Sequence, residues 1–229
     1  MEWGAGPQHS SQPTHQLMKC PTWLTPALFV VTALLVGIFA SVWLVPTKSP
    51  QPYPGMGGDF TLSAISGPVA LSDFEGKAVL VFFGYTHCPD VCPTDLVRMG
   101  QVLNALTPDE KAGVRGLFIS IDPERDTPQR IADYARFFHP SIIGLTGTPD
   151  DIDRIAKQYL VLYQKAEIGE SQAGYLMDHS TKTYLIGRDR QLEKVLGHEL
   201  EASQVLAAVR NVLMSDAWQL LQSDPEALC

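Results

Sequence analysis

Positive charge is scarce in this sequence. The chain has 17 lysine and arginine residues against 25 aspartate and glutamate residues, which gives a formal net charge of −8. An acidic surface repels a phosphate backbone, so we do not expect the protein to bind nucleic acid. Internal repeats and low-complexity runs are also missing, and the 229 residues suit one ordinary domain with additional segments.

No charged residue occurs in the run 23–45. As a helix, this run would be about 34 Å long, which is enough for a bilayer core of about 30 Å. Trp23 and Trp43 lie near its ends, where indole rings favour the membrane interface. A cleaved signal peptide is the alternative, but its apolar region would span only about 7–15 residues before a small-residue cleavage site. We therefore predict a transmembrane anchor over 23–45, after an N-terminal tail over 1–22.

The charges beside this anchor indicate its orientation. Lys19 and Lys48 lie on opposite sides of the run, so the free amino terminus tips the balance toward a cytoplasmic N-terminus. The chain also lacks an arginine-rich transit pattern, which favours a bacterial protein over a mitochondrial one. We expect a single-pass protein of the bacterial inner membrane, with its large C-terminal part in the periplasm.

The exported part divides into a spacer, a domain and a tail. Prolines and glycines dominate residues 46–57, which is typical of a semi-extended linker. A domain is predicted over 58–215 and a C-terminal tail over 216–229.

Apolar runs and proline-marked helix starts alternate along this domain. A hairpin around Gly67 and Pro68 is expected first. Strands are then predicted over 78–83, 114–121, 142–145, 161–168, 181–187 and 191–195, and helices over 93–106, 127–138, 148–160 and 201–214. This order predicts a three-layer α/β domain with a mixed central sheet. Ligands of such sheets bind beyond the carboxyl ends of parallel strands, where the loop after 78–83 lies.

That loop, GYTHCPDVCPTDL, contains two of the four cysteines. Pro93 fits the first position of a helix, which makes Cys92 the expected N-cap. A thiol at a helix N-terminus has a lowered pKa because the helix dipole favours the thiolate. Thiolates are both nucleophiles and soft metal ligands, so a redox role and a metal site both remain open. A structural disulfide between Cys88 and Cys92 would close too short a loop to stabilise the fold much.

Two features that dithiol oxidoreductases usually have are missing. The cysteine spacing is C-x₃-C rather than C-x₂-C. No proline occurs between Pro149 and Pro225, so the cis-proline that such enzymes place against their cysteines is absent. That position offers His179 instead, in YLMDHST. Two thiolates and one imidazole form a soft donor set that favours copper, because a structural zinc ion normally has four protein ligands.

Other candidate residues surround these donors. Asp178 is a candidate for orienting the imidazole of His179 as a hydrogen-bond partner, or is simply an exposed carboxylate. His87 should point away from its neighbour Cys88 and is not expected to bind metal. Met177 is expected to fill the core. The segment SIDPERDTP is interpreted either as a charged turn held by Arg125 or as a surface that contacts a partner.

The motifs FFGYTHCPDVCPTDL, SIDPERDTP, GLTGTP and DHS, in this order after a single apolar run, resemble the Sco/SenC family of copper-binding assembly proteins. The resemblance covers 58–214. It implies a thioredoxin-like fold, one copper ion per domain as Cu(I) or Cu(II), and the ligands Cys88, Cys92 and His179. It also implies a metallochaperone, not an enzyme, that assists maturation of the CuA centre of cytochrome c oxidase.

The expected partners follow from this resemblance. They are the copper-accepting oxidase subunit, other copper chaperones and thioredoxin-like reductants. A thiol–disulfide oxidoreductase is the alternative, in which Cys88 and Cys92 are a redox-active pair that reduces the cysteines of the acceptor.

Overall fold

The computed structural model describes Leu34, Gly37, Phe39 and residues 52–167 and 174–223. The chain divides into two compact units, Met1–Ser49 and Pro50–Cys229. Most of the predicted anchor over 23–45 lies outside the described residues. No helix within the described residues is both long and apolar enough to span a bilayer.

The second unit contains nine described strands and five described helices. The strands are β1 (Thr61–Ala64), β2 (Gly67–Ala70), β3 (Ala78–Gly84), β4 (Val114–Ser120), β5 (Ile142–Leu145), β6 (Tyr163–Glu167), β7 (Tyr175–His179), β8 (Lys182–Ile186) and β9 (Leu192–Gly197). The helices are α1 (Val91–Ala105), α2 (Pro108–Ala112), α3 (Pro128–Phe138), α4 (Pro149–Gln158) and α5 (Ala202–Ser223), and a 3₁₀ turn spans Leu71–Phe74.

A five-stranded mixed sheet in the order β5-β4-β3-β8-β9 forms the centre of this unit. Strand β3 pairs in parallel with β4 and antiparallel with β8, and β4 pairs in parallel with β5. Every residue of β3 is buried, as its continuous apolar sequence predicts for a central strand. The predicted α/β class and the mixed sheet are therefore confirmed. The carboxyl ends of β3 and β4 lie side by side, with Gly84 paired to Ser120.

Helices α3 and α4 begin where their sequences predict. The hydroxyl of Thr127 accepts a hydrogen bond from the amide of Arg130, and that of Thr148 accepts one from Asp151. A proline occupies the first helical position in both cases, where its missing N–H costs nothing.

The start of α1 differs from its prediction. The N-cap is Asp90, so Cys92 is the second residue of the helix and not the cap. Pro93 is tolerated one position further on because the first-turn amides have no partner within the helix.

Three other elements also depart from expectation. The hairpin turns at Ile65 and Ser66, so Gly67 begins β2 rather than occupying the turn. Helix α2 was not predicted, although Thr107 and Glu110 form a capping box at its start. Strand β7 was not predicted either, and it pairs with β6 rather than with a strand of the central sheet.

The described part of the predicted spacer contacts the domain. Tyr53 and Met56 pack against the core, and the amide of Gly57 donates a 2.9 Å hydrogen bond to the carbonyl of Gln158. At the other end of the chain, α5 continues to Ser223, beyond the predicted end of the last helix at 214.

Candidate metal site

Three soft donors that are distant in sequence meet at the carboxyl edge of the central sheet. Cys88 lies in the loop between β3 and α1, Cys92 in the first turn of α1, and His179 at the end of β7. Their ligand atoms all lie within 4.8 Å of one another. Cys92 Sγ lies 3.4 Å from His179 Nε2. The structure thus brings together the three residues that the sequence predicts as metal ligands.

Both sulfur atoms are shielded from water. Cys92 is completely buried and Cys88 is 9% exposed. The loop folds back because the amide of Cys88 donates to the carbonyl of Tyr85, and the amide of Cys92 then points at Cys88 Sγ from 3.4 Å. This amide belongs to the first turn of α1, where amides lack a partner within the helix. Both cysteines are free thiols in the structure.

Hydrogen bonding between the two cysteines lowers the pKa of one thiol and raises the pKa of the other. The pKa of the Cys88 thiol falls to about 3, chiefly because the Cys92 thiol donates a hydrogen bond to it. The side chain of His179 and then the amides of Asp90 and Cys92 lower the pKa further. The pKa of Cys92 is raised, because its proton is shared with Cys88 and because the residue is deeply buried. The prediction that Cys92 is the acidic thiol was therefore wrong. Cys88 is the acidified thiol instead, chiefly because it accepts a hydrogen bond from the Cys92 thiol, and the Cys92 amide at the helix terminus adds to this effect.

The imidazole of His179 is oriented by its own strand end. Its Nδ1 lies 3.1 Å from the carbonyl oxygen of Ser180. A carbonyl can only accept, so Nδ1 carries the hydrogen and the lone pair of the neutral ring lies on Nε2, toward the sulfur atoms. The rings of Phe82 and Tyr85 pack edge-on against the imidazole, with centroids 6.3 Å and 5.9 Å away. The ring is therefore held with a free ligand atom facing the thiols.

The other candidate residues lie outside this donor group. Asp178 is exposed, and none of the hydrogen bonds described for it reaches His179, whose Nδ1 bonds to Ser180 instead. His87 points toward Arg130, with 3.1 Å between its Nε2 and Arg130 Nη1, so this lone pair is engaged. Met177 is buried in the core, as predicted.

A buried carboxylate that the sequence interpretation missed fixes the cysteine loop in place. Asp126 is fully buried and accepts hydrogen bonds from the Thr86 amide at 3.0 Å, the Thr86 hydroxyl at 2.6 Å and the Ser120 hydroxyl at 2.7 Å. The loop after β3 is thereby tied to the end of β4. The one available signal was the position of SIDPERDTP directly after β4, at the same sheet edge as the cysteines.

The rest of that segment forms the charged turn that was one of the two interpretations. Arg125 forms an ion pair with Asp122, a residue that is 1% exposed. Because Asp122 and Asp126 are both buried, neither carboxylate offers a surface to a partner.

Gly84 leaves no room for a side chain beside the sulfur of Cys92. A Cβ atom at this position would lie 2.6 Å from Cys92 Sγ and 2.9 Å from the ring of Phe118.

We predict that Gly84→Ala displaces the sulfur and lowers copper affinity by about tenfold or more, as changes to the support of a metal ligand do. A competition titration with a copper chelator measures this. Gly113→Ala is the control, because a Cβ there meets only ordinary contacts. Wild-type affinity in a folded Gly84→Ala protein would contradict the described packing.

Known proteins resemble this chain in sequence and in structure. The family described as SCO1/SenC matches residues 48–214. A SCO2-like protein of Rickettsia conorii is 33% identical over 196 residues, which cover 80% of this chain and 95% of that protein. The human mitochondrial SCO1 homolog is 38% identical over 162 residues, which cover 68% of this chain and 52% of that protein. The chain thus spans only about half the length of this mitochondrial relative.

Solved structures agree with these sequence matches. ScoI of Arabidopsis thaliana with copper bound superposes with a TM-score of 0.65 at 35% identity, covering 70% of this chain and 99% of that one. ScoI of Bradyrhizobium japonicum with copper bound gives a TM-score of 0.62 at 36% identity, covering 69% of this chain and 99% of that one. The thioredoxin-like fold with a mixed central sheet is shared with these structures. The chain belongs to the SCO1/SenC family.

Proposed function

We propose that this protein is a membrane-anchored copper metallochaperone that assists maturation of the CuA centre of cytochrome c oxidase. The observation that carries the proposal is the group formed by Cys88, Cys92 and His179, whose ligand atoms lie within 4.8 Å of one another. The protein acts as a carrier and not as an enzyme. Copper is its cargo, held as one ion per domain and passed to an acceptor subunit by ligand exchange.

The chemistry of the donors favours copper over other metals. Thiolate sulfur selects Cu(I), and imidazole suits copper in either oxidation state. A structural zinc site uses four protein ligands, whereas the described residues bring only three donors together here. Structures with copper bound are known for the ScoI proteins of Arabidopsis thaliana and Bradyrhizobium japonicum, which supports the same cargo for this chain.

The exposure of the donors favours transfer from the histidine side. The thiols are buried, whereas His179 is half-buried and lines an open cleft of about 520 Å³ with Leu162, Tyr163 and Ser180. A ligand from an acceptor protein can approach through this cleft and replace the imidazole first. The copper-accepting oxidase subunit is the proposed partner, with other copper chaperones or thioredoxin-like reductants acting before it.

A second candidate function is supported by the acidity of Cys88. The hydrogen bond from the Cys92 thiol lowers the pKa of Cys88 well below its usual range, and the thiolate that this favours is the form that attacks a disulfide. The protein would then reduce the cysteines of the copper acceptor through the Cys88 and Cys92 pair. This reaction requires no imidazole ligand, so a substitution of His179 distinguishes copper delivery from thiol–disulfide exchange.

Replacing His179 by alanine should remove copper delivery and spare thiol exchange. Two thiolates remain and can hold Cu(I) in near-linear geometry, but Cu(II) loses its nitrogen donor. We expect loss of the sulfur-to-Cu(II) charge-transfer band in the absorption spectrum, and low oxidase activity in cells that carry only this variant. Reduction of a disulfide substrate should fall much less.

His87→Ala is the matched control, because His87 adjoins Cys88 in sequence but points toward Arg130. It should keep both the charge-transfer band and oxidase maturation. Intact oxidase assembly together with lost thiol exchange in His179→Ala would reverse the ranking of the two functions.

The proposed location is the bacterial inner membrane, with the copper-binding domain in the periplasm. The uncharged run 23–45 supports this placement. The full chain should remain in the membrane fraction after alkaline extraction, and an enzyme reporter active only outside the cytoplasm should be active when fused after Cys229. A soluble product with a new N-terminus near residue 46 would contradict the anchor.

A further inference from the structure

The third metal donor lies on a hairpin outside the central sheet. In the part of the chain that the structure describes, β6 and β7 pair with each other in a separate two-stranded sheet. The position of His179 over the cysteine loop is therefore not set by the strand pairing of β3, β4, β5, β8 and β9. Other contacts must hold β7 against the rest of the domain.

One group of side chains joins β7 to the loop after β4. Arg125, in the loop between β4 and α3, donates a 3.0 Å hydrogen bond from Nη1 to the carbonyl of Tyr175 in β7. Its guanidinium carbon also lies 3.7 Å from the centroid of the Tyr175 ring. The Tyr175 hydroxyl donates a 2.8 Å hydrogen bond to Asp122, the carboxylate that forms an ion pair with Arg125. Arg125, Tyr175 and Asp122 thus form a closed ring of contacts, the Arg125 clamp.

We propose that Arg125 is a positioning residue for the metal site, and that the Arg125 clamp holds β7 so that Nε2 of His179 faces the two thiols. The inference rests on the proposed metal-binding function. Arg125 is not one of the metal donors, so it acts on the site indirectly, through the position of β7.

The geometry of the strand explains how a contact at Tyr175 orients His179. Side chains two apart along a strand lie on the same face, so Tyr175, Met177 and His179 share one side of β7. The clamp fixes the first of these residues. The hydroxyl of Tyr85 accepts a 3.1 Å hydrogen bond from the Met177 amide and fixes the second. With both held, His179 at the strand end has one direction in which to point.

Arginine suits this role better than lysine. A guanidinium is planar and has five donors, so it can bond a carbonyl and a carboxylate while lying flat on an aromatic ring. A second contact between the same elements, Lys165 with Glu124 at 2.6 Å, is largely exposed. Exposed ion pairs of this kind contribute little to stability. The partly buried arginine is therefore expected to contribute more than this lysine to the placement of the hairpin.

Arg125→Ala in the full chain tests the proposal with two independent measurements. In the metal-free protein, amide hydrogen exchange in β7 should accelerate by about tenfold, which corresponds to losing one hydrogen bond to a charged group, while β3 and β4 keep their protection. In the copper-loaded protein, Cu(II) affinity should fall by about tenfold or more, with changed EPR hyperfine parameters. Cu(I) affinity should fall less, because both thiolates remain.

Three further variants make the result decisive. Tyr175→Phe keeps the ring and the carbonyl contact but removes the hydroxyl bond to Asp122, so it should shift both measurements in the same direction as Arg125→Ala and by less. Arg154→Ala removes an exposed arginine that pairs with Asp151 on α4, and should change neither measurement. Arg125→Lys keeps the charge but lacks the planar guanidinium. It should therefore shift both measurements in the same direction as Arg125→Ala. If the alanine variant does not fold, the lysine variant serves as the test.

The clamp proposal would be wrong if Arg125→Ala showed wild-type exchange in β7 together with a wild-type Cu(II) spectrum. If only Arg125→Lys folds, the same result in that variant would reject the proposal. A different result is expected if the protein does not bind copper at this site at all. In that case the wild-type protein itself would lack a sulfur-to-Cu(II) band, while the exchange comparison in the metal-free protein would still test whether Arg125 holds β7.

Discussion

Replacing Cys88 by serine will lower the affinity of this protein for Cu(I) by about a hundredfold. A structural zinc site with four ligands gains on the order of 10–16 kcal/mol, so one ligand of such a metal site contributes on the order of 3 kcal/mol. Serine keeps the size of the side chain but lacks the soft sulfur that selects Cu(I). The same loss is expected for Cys92→Ser, and the double variant should lose roughly the square of the single effect, about ten-thousandfold. Competition with a Cu(I) chelator of known affinity measures all three.

Cys20→Ser is the control for these variants, because Cys20 precedes the predicted anchor and is outside the proposed site. Its Cu(I) affinity should equal that of the wild type. Binding by the wild type should also weaken on acidification, since the raised pKa of Cys92 means that a proton must leave this thiol before the sulfur can bind copper. Near-equal affinity of the double serine variant and the wild type would rule out the site.

Asp126→Ala will destabilise the metal-free protein by about 3–5 kcal/mol, since it leaves one buried and two partly buried donors without this acceptor. These donors are the amide and the hydroxyl of Thr86 and the hydroxyl of Ser120. A loss of this size is a large part of the roughly 5–15 kcal/mol by which a domain is stable. Asp126→Asn keeps one amide oxygen as acceptor and should cost about half as much. Urea denaturation of the full chain, followed by circular dichroism, gives the free energy of unfolding.

Asp133→Ala provides the comparison, because Asp133 is an exposed carboxylate on α3 whose one described bond is to Gln129. Its substitution should change the free energy of unfolding by less than about 0.5 kcal/mol, as surface substitutions usually do. If Asp126→Ala were no more destabilising than Asp133→Ala, the cysteine loop would have to be held by contacts other than this carboxylate.

The central strands and two of the helix starts were predictable because their signals are local. The buried run of β3 reads as continuous apolar sequence, and Thr127 and Thr148 each precede a proline at a helix start. The start of α1 was misplaced by the same rule. Proline is allowed at several positions of a first turn, so Pro93 alone does not fix where the helix begins.

The candidate site was predictable in its donors but not in its supports. Cys88, Cys92 and His179 stand out by residue type and spacing. The contacts that hold them join residues far apart in the chain: Asp126 reaches Thr86 across 40 positions, and Arg125 reaches Tyr175 across 50. No local pattern encodes these pairs, because each depends on which loops meet at the edge of the folded sheet.

The acidity of the cysteines shows the same limit. A helix N-terminus correctly indicates that a thiol nearby will be acidified. Which thiol it is depends mainly on the direction of the hydrogen bond between the two thiols, which Cys92 donates to Cys88, and to a lesser extent on the Cys92 amide, which points at the same sulfur. Such a direction is set by the three-dimensional turn and not by the spacing of the two cysteines.

X-ray absorption at the copper edge tests the proposed site most directly, since it counts the donor atoms around the metal. The full chain loaded with one equivalent of Cu(I), and a second sample oxidised to Cu(II), should each show two sulfur neighbours and one imidazole nitrogen in the first shell. In His179→Ala the nitrogen should disappear while both sulfur atoms remain. A first shell of oxygen and nitrogen atoms alone in the wild-type protein would contradict a copper site formed by Cys88, Cys92 and His179.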